Sequence, residues 1–122
     1  MSGETYGLCC GRFHNGESSA ATAEQLMRSR FSAFAVADSD YLLASWHSST
    51  RPTELDLDDD YRWTRLDIVS TSGGGLFESE GTVEFAAHYR ANGRRGVLHE
   101  RSRFLKENGR WRYLDGTTPA QP

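Results

Sequence analysis

The sequence predicts an α+β domain, with N-terminal helices packed on a curved antiparallel sheet of about four strands. Three observations carry that prediction. Apolar residues recur at helical spacing between residues 22 and 46. After residue 62 the apolar period becomes two. Asn92-Gly93 lies in a turn, and Asn108-Gly109 is a strong hairpin signal. Helices first and a meander second make an α+β layer arrangement. A curved sheet wrapped over helices leaves a cone-shaped cavity, which can hold a pocket.

Residues 1–16 are rich in glycine and hold Cys9 and Cys10, so they read as a small knuckle or a loose arm. Residues 17–122 form the domain proper. Thr22, with Gln25 three residues later, has the shape of a capping box. Leu26, Met27, Phe31, Phe34 and Ala35 then mark one helical face, and the helix should run to about Ala37. Asp38-Ser39-Asp40 breaks it and caps a second, shorter helix carrying Tyr41, Leu42, Leu43 and Trp46. Residues 53–62 are an acidic connection. Strands are expected over Trp63–Ser72, Gly81–Arg90, Val97–Lys106 and Arg110–Leu114. Gly73 to Gly75 stops the first strand, and the tail from Thr117 should fray.

The chain has 122 residues, enough for one domain with a real core. No apolar run approaches the roughly 18 residues of a spanning helix. No basic region and apolar core open the chain, so a cytoplasmic location is expected and no membrane partner. Six Arg against thirteen acids leave residues 1–82 at −7, while residues 83–122 carry +4. The net charge of −3 argues against a nucleic-acid partner, which usually calls for a strongly basic domain. Complementary halves suit self-packing. Two adjacent cysteines are not a disulfide scaffold.

An Asn108-Gly109 turn sets a register in which Glu107 faces Arg110, Lys106 faces Trp111, Phe104 faces Tyr113 and Ser102 faces Asp115. One face then collects Leu98, Glu100, Ser102, Phe104, Trp111, Tyr113 and Asp115. If that face lines the cone, Phe104, Trp111, Tyr113 and Ser102 are pocket residues, with Trp46 near the mouth. Glu100 and Asp115 become carboxylates in an apolar pocket, where raised pKa values suit acid–base work. His47, at the end of the second helix, is the third candidate. The commoner fate of such carboxylates is a structural ion pair with Arg101, Arg103 or a helix arginine such as Arg28 or Arg30. A His at a helix end is more often a cation favoured by the dipole. Asp56, Asp58, Asp60 and Asp67 mimic the spacing of a calcium loop, but Tyr61 stands where its glycine belongs. No phosphate loop, dinucleotide fingerprint or nucleophile elbow is present.

Joined motifs add a resemblance. Residues 22–34, Asp40-Tyr41-Leu42-Leu43, Trp46-His47, Ser49-Thr50-Arg51-Pro52, residues 80–85 and residues 99–104 resemble the YchJ-like proteins. The likeness covers about residues 9–116. It implies the fold of nuclear transport factor 2, the cystatin-like cone, and it implies no particular activity. It also implies an N-terminal SEC-C motif, a zinc knuckle of Cys-x-Cys, eight residues, then Cys-Cys or Cys-His. Four soft ligands hold such a zinc tetrahedrally. Cys9 and Cys10 match the second half, and the first two ligands would fall just before Met1 and two positions earlier. The expectation is a chain that begins at an internal codon, carries a truncated SEC-C remnant over 1–16 and holds no zinc.

Three functions compete. The first is a binding module for a protein or a small ligand, and it is the preferred reading. The second is an isomerase- or dehydratase-like enzyme using Glu100, Asp115 or His47, with Tyr41 or Tyr113 as donors. The third is a structural role as a homodimer through the sheet. A pocket of at least about 300 Å³ lined by both Glu100 and Asp115 would favour the enzyme. Carboxylates bonded to arginines would disfavour it.

Overall fold

The computed structural model describes residues 20–55, 57 and 61–117. Cys9, Cys10, His14, the expected 1–16 boundary and Asp56, Asp58 and Asp60 lie outside the described residues. Helix α1 spans Ala23–Ala35 and helix α2 spans Ser39–Ala44. Strands β1 (Tyr61–Gly73), β2 (Glu80–Ala91), β3 (Arg94–Glu107) and β4 (Arg110–Thr117) follow. They pair as an antiparallel meander in the order β1-β2-β3-β4. Helices on a four-stranded sheet are the architecture the periodicities predict.

The caps fall where the sequence puts them. The Gln25 amide donates to Thr22 Oγ1 at 3.1 Å, and Gln25 Oε1 accepts from the Ala21 amide at 2.8 Å. The Tyr41 amide donates to Asp38 Oδ1 at 3.1 Å. Helix α1 stops at Ala35, two residues before the expected end, because Ala37 turns left-handed at φ 58°. Ala23, Leu26, Met27 and Phe31 face Leu66, Val83, Phe85, Ala87, Phe104 and Trp111. Each large side chain buried there contributes roughly 1.5–3 kcal/mol.

The strands outrun their predicted bounds. Asn92 (φ 54°) and Gly93 (φ 76°) make a two-residue turn, so pairing starts at once with Ala91 opposite Arg94. β1 begins at Tyr61, inside the expected acidic connection, because Tyr61 pairs with Ala91. It carries two bulges, at Thr64 and Val69, which bend the sheet and keep Trp63, Leu66 and Ile68 inward.

The β3–β4 register holds for three of its four expected pairs: Glu107 with Arg110, Lys106 with Trp111, and Phe104 with Tyr113. The fourth differs. Leu114 is an extra residue, so Asp115 lies opposite Arg103 and Ser102 lies opposite Gly116. One inserted residue sends every later side chain to the other face. Asp115 therefore leaves the cavity face.

Three further hydrogen bonds fix the helices. Gly74, at φ 77°, accepts the Ala23 amide on its carbonyl at 3.0 Å, so the β1–β2 tip seats the start of α1. After α2, the chain runs beside β4. The His47 amide donates to the Tyr113 carbonyl at 2.7 Å, and the Tyr113 amide donates to the Ser45 carbonyl at 2.8 Å.

Candidate functional site

Between α1 and the inner face of the sheet lies a cavity of about 200 Å³. Its polar lining is Arg30 from α1, Glu100 and Ser102 from β3, and Tyr113 from β4. Its apolar walls include Trp46, Trp63 and Phe34. A shallower hollow of about 370 Å³, walled by Tyr61 and Tyr89, shares Phe34, Trp63 and Leu98 with it. The two adjoin along those shared side chains.

Arg30 is 3% exposed and sits on the same helical face as Met27 and Phe34. Its Nη1 donates to the Leu42 carbonyl at 2.7 Å and to Ser45 Oγ at 2.6 Å. Its guanidinium carbon stands 4.4 Å over the Tyr113 ring and 5.2 Å over the Trp46 ring. Among the described residues it makes no ion pair. Burial lowers its pKa to about 10, so it stays protonated at neutral pH. Its Nε and Nη2 groups have no acceptor among the described residues. No fully buried side-chain nitrogen is left unsatisfied, so these donors open into the cavity.

Glu100 is half-buried, and loss of solvent pushes its carboxyl pKa up. The carboxyl lies beside the Tyr113 hydroxyl, above Gly116. A Cβ built on Gly116 would stand 2.8 Å from Glu100 Oε1 and 3.2 Å from Tyr113 Oη. A bare position on β4 thus makes room for both groups. Burial and the nearby Glu100 charge raise the Tyr113 phenol above its ordinary range. The site therefore holds one fixed cation, one carboxyl whose pKa burial raises, and one neutral phenol.

Of the residues expected in the pocket, Trp46, Ser102 and Tyr113 line the cavity. Phe104 (0% exposed) and Trp111 (2%) instead close the core beneath it. Of the three acid–base candidates, only Glu100 lines it. Asp115 accepts two bonds from Arg103, at 2.7 and 2.6 Å, and that partner holds its carboxyl below the usual range. His47 lies outside the lining, with its Nδ1 accepting from the Ser49 amide at 3.1 Å. Tyr41 is hydrogen-bonded to Ser29 at 2.7 Å rather than facing the cavity. The outer sheet face carries networks such as His99 and Arg101 on Glu84, at 2.8 and 2.9 Å. Sequence reasoning treats Arg30 only as a partner for a carboxylate. The signal for its deeper role is a charge in register with an apolar stripe.

Among the described residues, no group of three or more His, Cys, Asp or Glu side chains is placed to hold a metal ion. The SEC-C zinc that the resemblance implies would fall on Cys9 and Cys10, which lie outside the described residues.

Comparisons place this geometry among known proteins. A family model described as the middle NTF2-like domain of YchJ matches residues 22–116. A UPF0225 protein of Corynebacterium glutamicum is 56% identical over 114 residues, which covers 93% of this chain and 90% of the relative. One of Streptomyces coelicolor is 54% identical over 113 residues, covering 93% and 88%. The solution structure of a SEC-C motif containing protein from Rhodopseudomonas palustris superposes with a TM-score of 0.85 at 36% identity, covering 98% of this chain and 95% of that one. The crystal structure of a SEC-C motif containing protein from Psychrobacter arcticus gives 0.76 at 27% identity, covering 100% and 78%.

Proposed function

Because this chain belongs to the YchJ-like family and forms its middle NTF2-like domain, we propose that it is a binding module for a small ligand. The ligand enters the cavity between α1 and the inner sheet face. One observation carries the reading: a buried cation and a half-buried carboxyl converge on a cavity walled by aromatic rings. Apolar pockets with a few convergent polar groups are where small molecules bind. The volume of about 200 Å³ lies below that of drug-sized sites, so the ligand is small.

An acid–base enzyme is the second reading. It is favoured by the raised pKa of Glu100 alone, since Asp115 is committed to Arg103.

A fragment screen by NMR tests the binding reading. Hits should perturb the indole N–H resonances of Trp46 and Trp63, both in the cavity wall. Hits confined to the outer sheet face would overturn it.

A further inference from the structure

The one fixed cation in this cavity, Arg30, makes no ion pair among the described residues. Arg30 is 3% exposed and stays protonated at neutral pH. A buried charge is costly unless something pairs with it. Only Nη1 is spent on protein acceptors, and the remaining N–H groups open into the cavity. A guanidinium presents these donors as a flat fork, which matches the two oxygens of a carboxylate.

We propose that the cavity takes a small organic monocarboxylate, its carboxylate on the free N–H groups of Arg30 and its apolar body among Trp46, Trp63 and Tyr113. This rests on the pocket reading above and names the ligand class.

Three features select that class. The walls are mostly aromatic and aliphatic, which suits an apolar body better than a compact inorganic ion. The single fixed cation matches one negative charge and repels amines. Glu100 faces the same space with its carboxyl pKa raised by burial, and once protonated it can donate a second hydrogen bond to the ligand. Tyr113 from β4 is the titratable group beside this carboxyl, and Arg30 from α1 lines the same cavity. From β2 the lining is apolar, Phe85 and Ala87, while Glu84, His99 and Arg101 meet on the opposite sheet face. An anion beside Glu100 raises its proton affinity further, so binding takes up a proton.

Calorimetry and NMR on the whole chain, with benzoate, benzamide, benzylamine and inorganic phosphate as probes, test the proposal. Benzoate should bind about tenfold or more tighter than benzamide. It should shift the Arg30 Nε–H resonance and show net proton uptake across buffers of different ionisation enthalpy. The Glu100→Gln variant leaves the structural bonds of Arg30 in place. It should lose the proton uptake. Equal binding of benzoate and benzamide in the cavity overturns the carboxylate assignment and leaves the pocket reading standing. Preference for phosphate or benzylamine also overturns it. If no probe at about 10 mM moves the Trp46 or Trp63 indole, the pocket reading falls as well.

Discussion

Ser45 Oγ stands 2.6 Å from Arg30 Nη1, and this bond ties the middle of α1 to the residue that ends α2. The Ser45 hydroxyl donates to the Tyr41 carbonyl at 2.7 Å, so it is free to accept from the guanidinium. Ser45→Ala removes a buried acceptor of a charged donor. It should cost about 1–2 kcal/mol in urea unfolding. An unchanged midpoint would show that Arg30 finds another acceptor at no cost.

Glu100 and Asp115 should respond to pH with opposite signs. The folded state raises the pKa of Glu100 above its ordinary 4.5, so folding holds its proton more tightly than the unfolded chain does. Its contribution is complete below that value and is lost as pH rises through the folded pKa. Glu100→Gln should therefore unfold at a higher temperature than wild type at pH 7, and the difference should vanish in acid. Asp115 is held below its ordinary 3.8 by Arg103. Its contribution is present at pH 7 and is lost as pH falls through the folded value. Asp115→Asn should lower the midpoint slightly at pH 7, because exposed pairs are weak, and not at all in strong acid. Thermal melts across pH measure both, and shifts of the same sign would refute the assignment.

Gly81 has no room for a side chain. An added Cβ would lie 2.5 Å from both the nitrogen and the Cα of Gly74, which are backbone atoms. Gly81→Ala should destabilise by about 1–3 kcal/mol through overpacking. Gly93→Ala meets nothing within 4 Å but keeps φ at 76°, so its cost should be about 1 kcal/mol. Denaturant titrations compare them. Equal losses would mean that the β1–β2 tip moves off α1 easily.

Phe104 is fully buried at the centre of the sheet, while Phe77 is 94% exposed at the β1–β2 tip. Phe104→Ala should cost about 3–5 kcal/mol. Phe77→Ser should leave the denaturation midpoint nearly unchanged. A large loss from Phe77→Ser would place that ring in a contact of its own.

The elements of the fold were legible because each has a local cause. Thr22 and Asp38 cap, Asn92-Gly93 and Asn108-Gly109 turn, and the apolar period changes from helix to strand. The bulges were not legible, because strict alternation carries no mark for an inserted residue. Leu114 is one apolar residue among several, yet its insertion moves Asp115 from the cavity to Arg103. Complementary charge at 103 and 115, with a bare Gly116 beside Glu100, was the available hint. The site was legible in part. Glu100, Ser102, Trp46 and Tyr113 follow from the hairpin register and the end of α2. Arg30 does not, because its importance comes from the lack of a counter-charge, which only three-dimensional packing reveals.

The pairing of residues 45–47 with β4 also bears on self-association. A sheet of this kind offers two open borders where a second chain could add a strand. One border is occupied at Tyr113 by the chain's own backbone. The other, β1, is interrupted at Thr64 and Val69, which breaks the regular row of amides a foreign strand needs. The chain's own backbone thus occupies one border of the sheet, and the broken spacing of β1 disfavours the addition of a strand at the other.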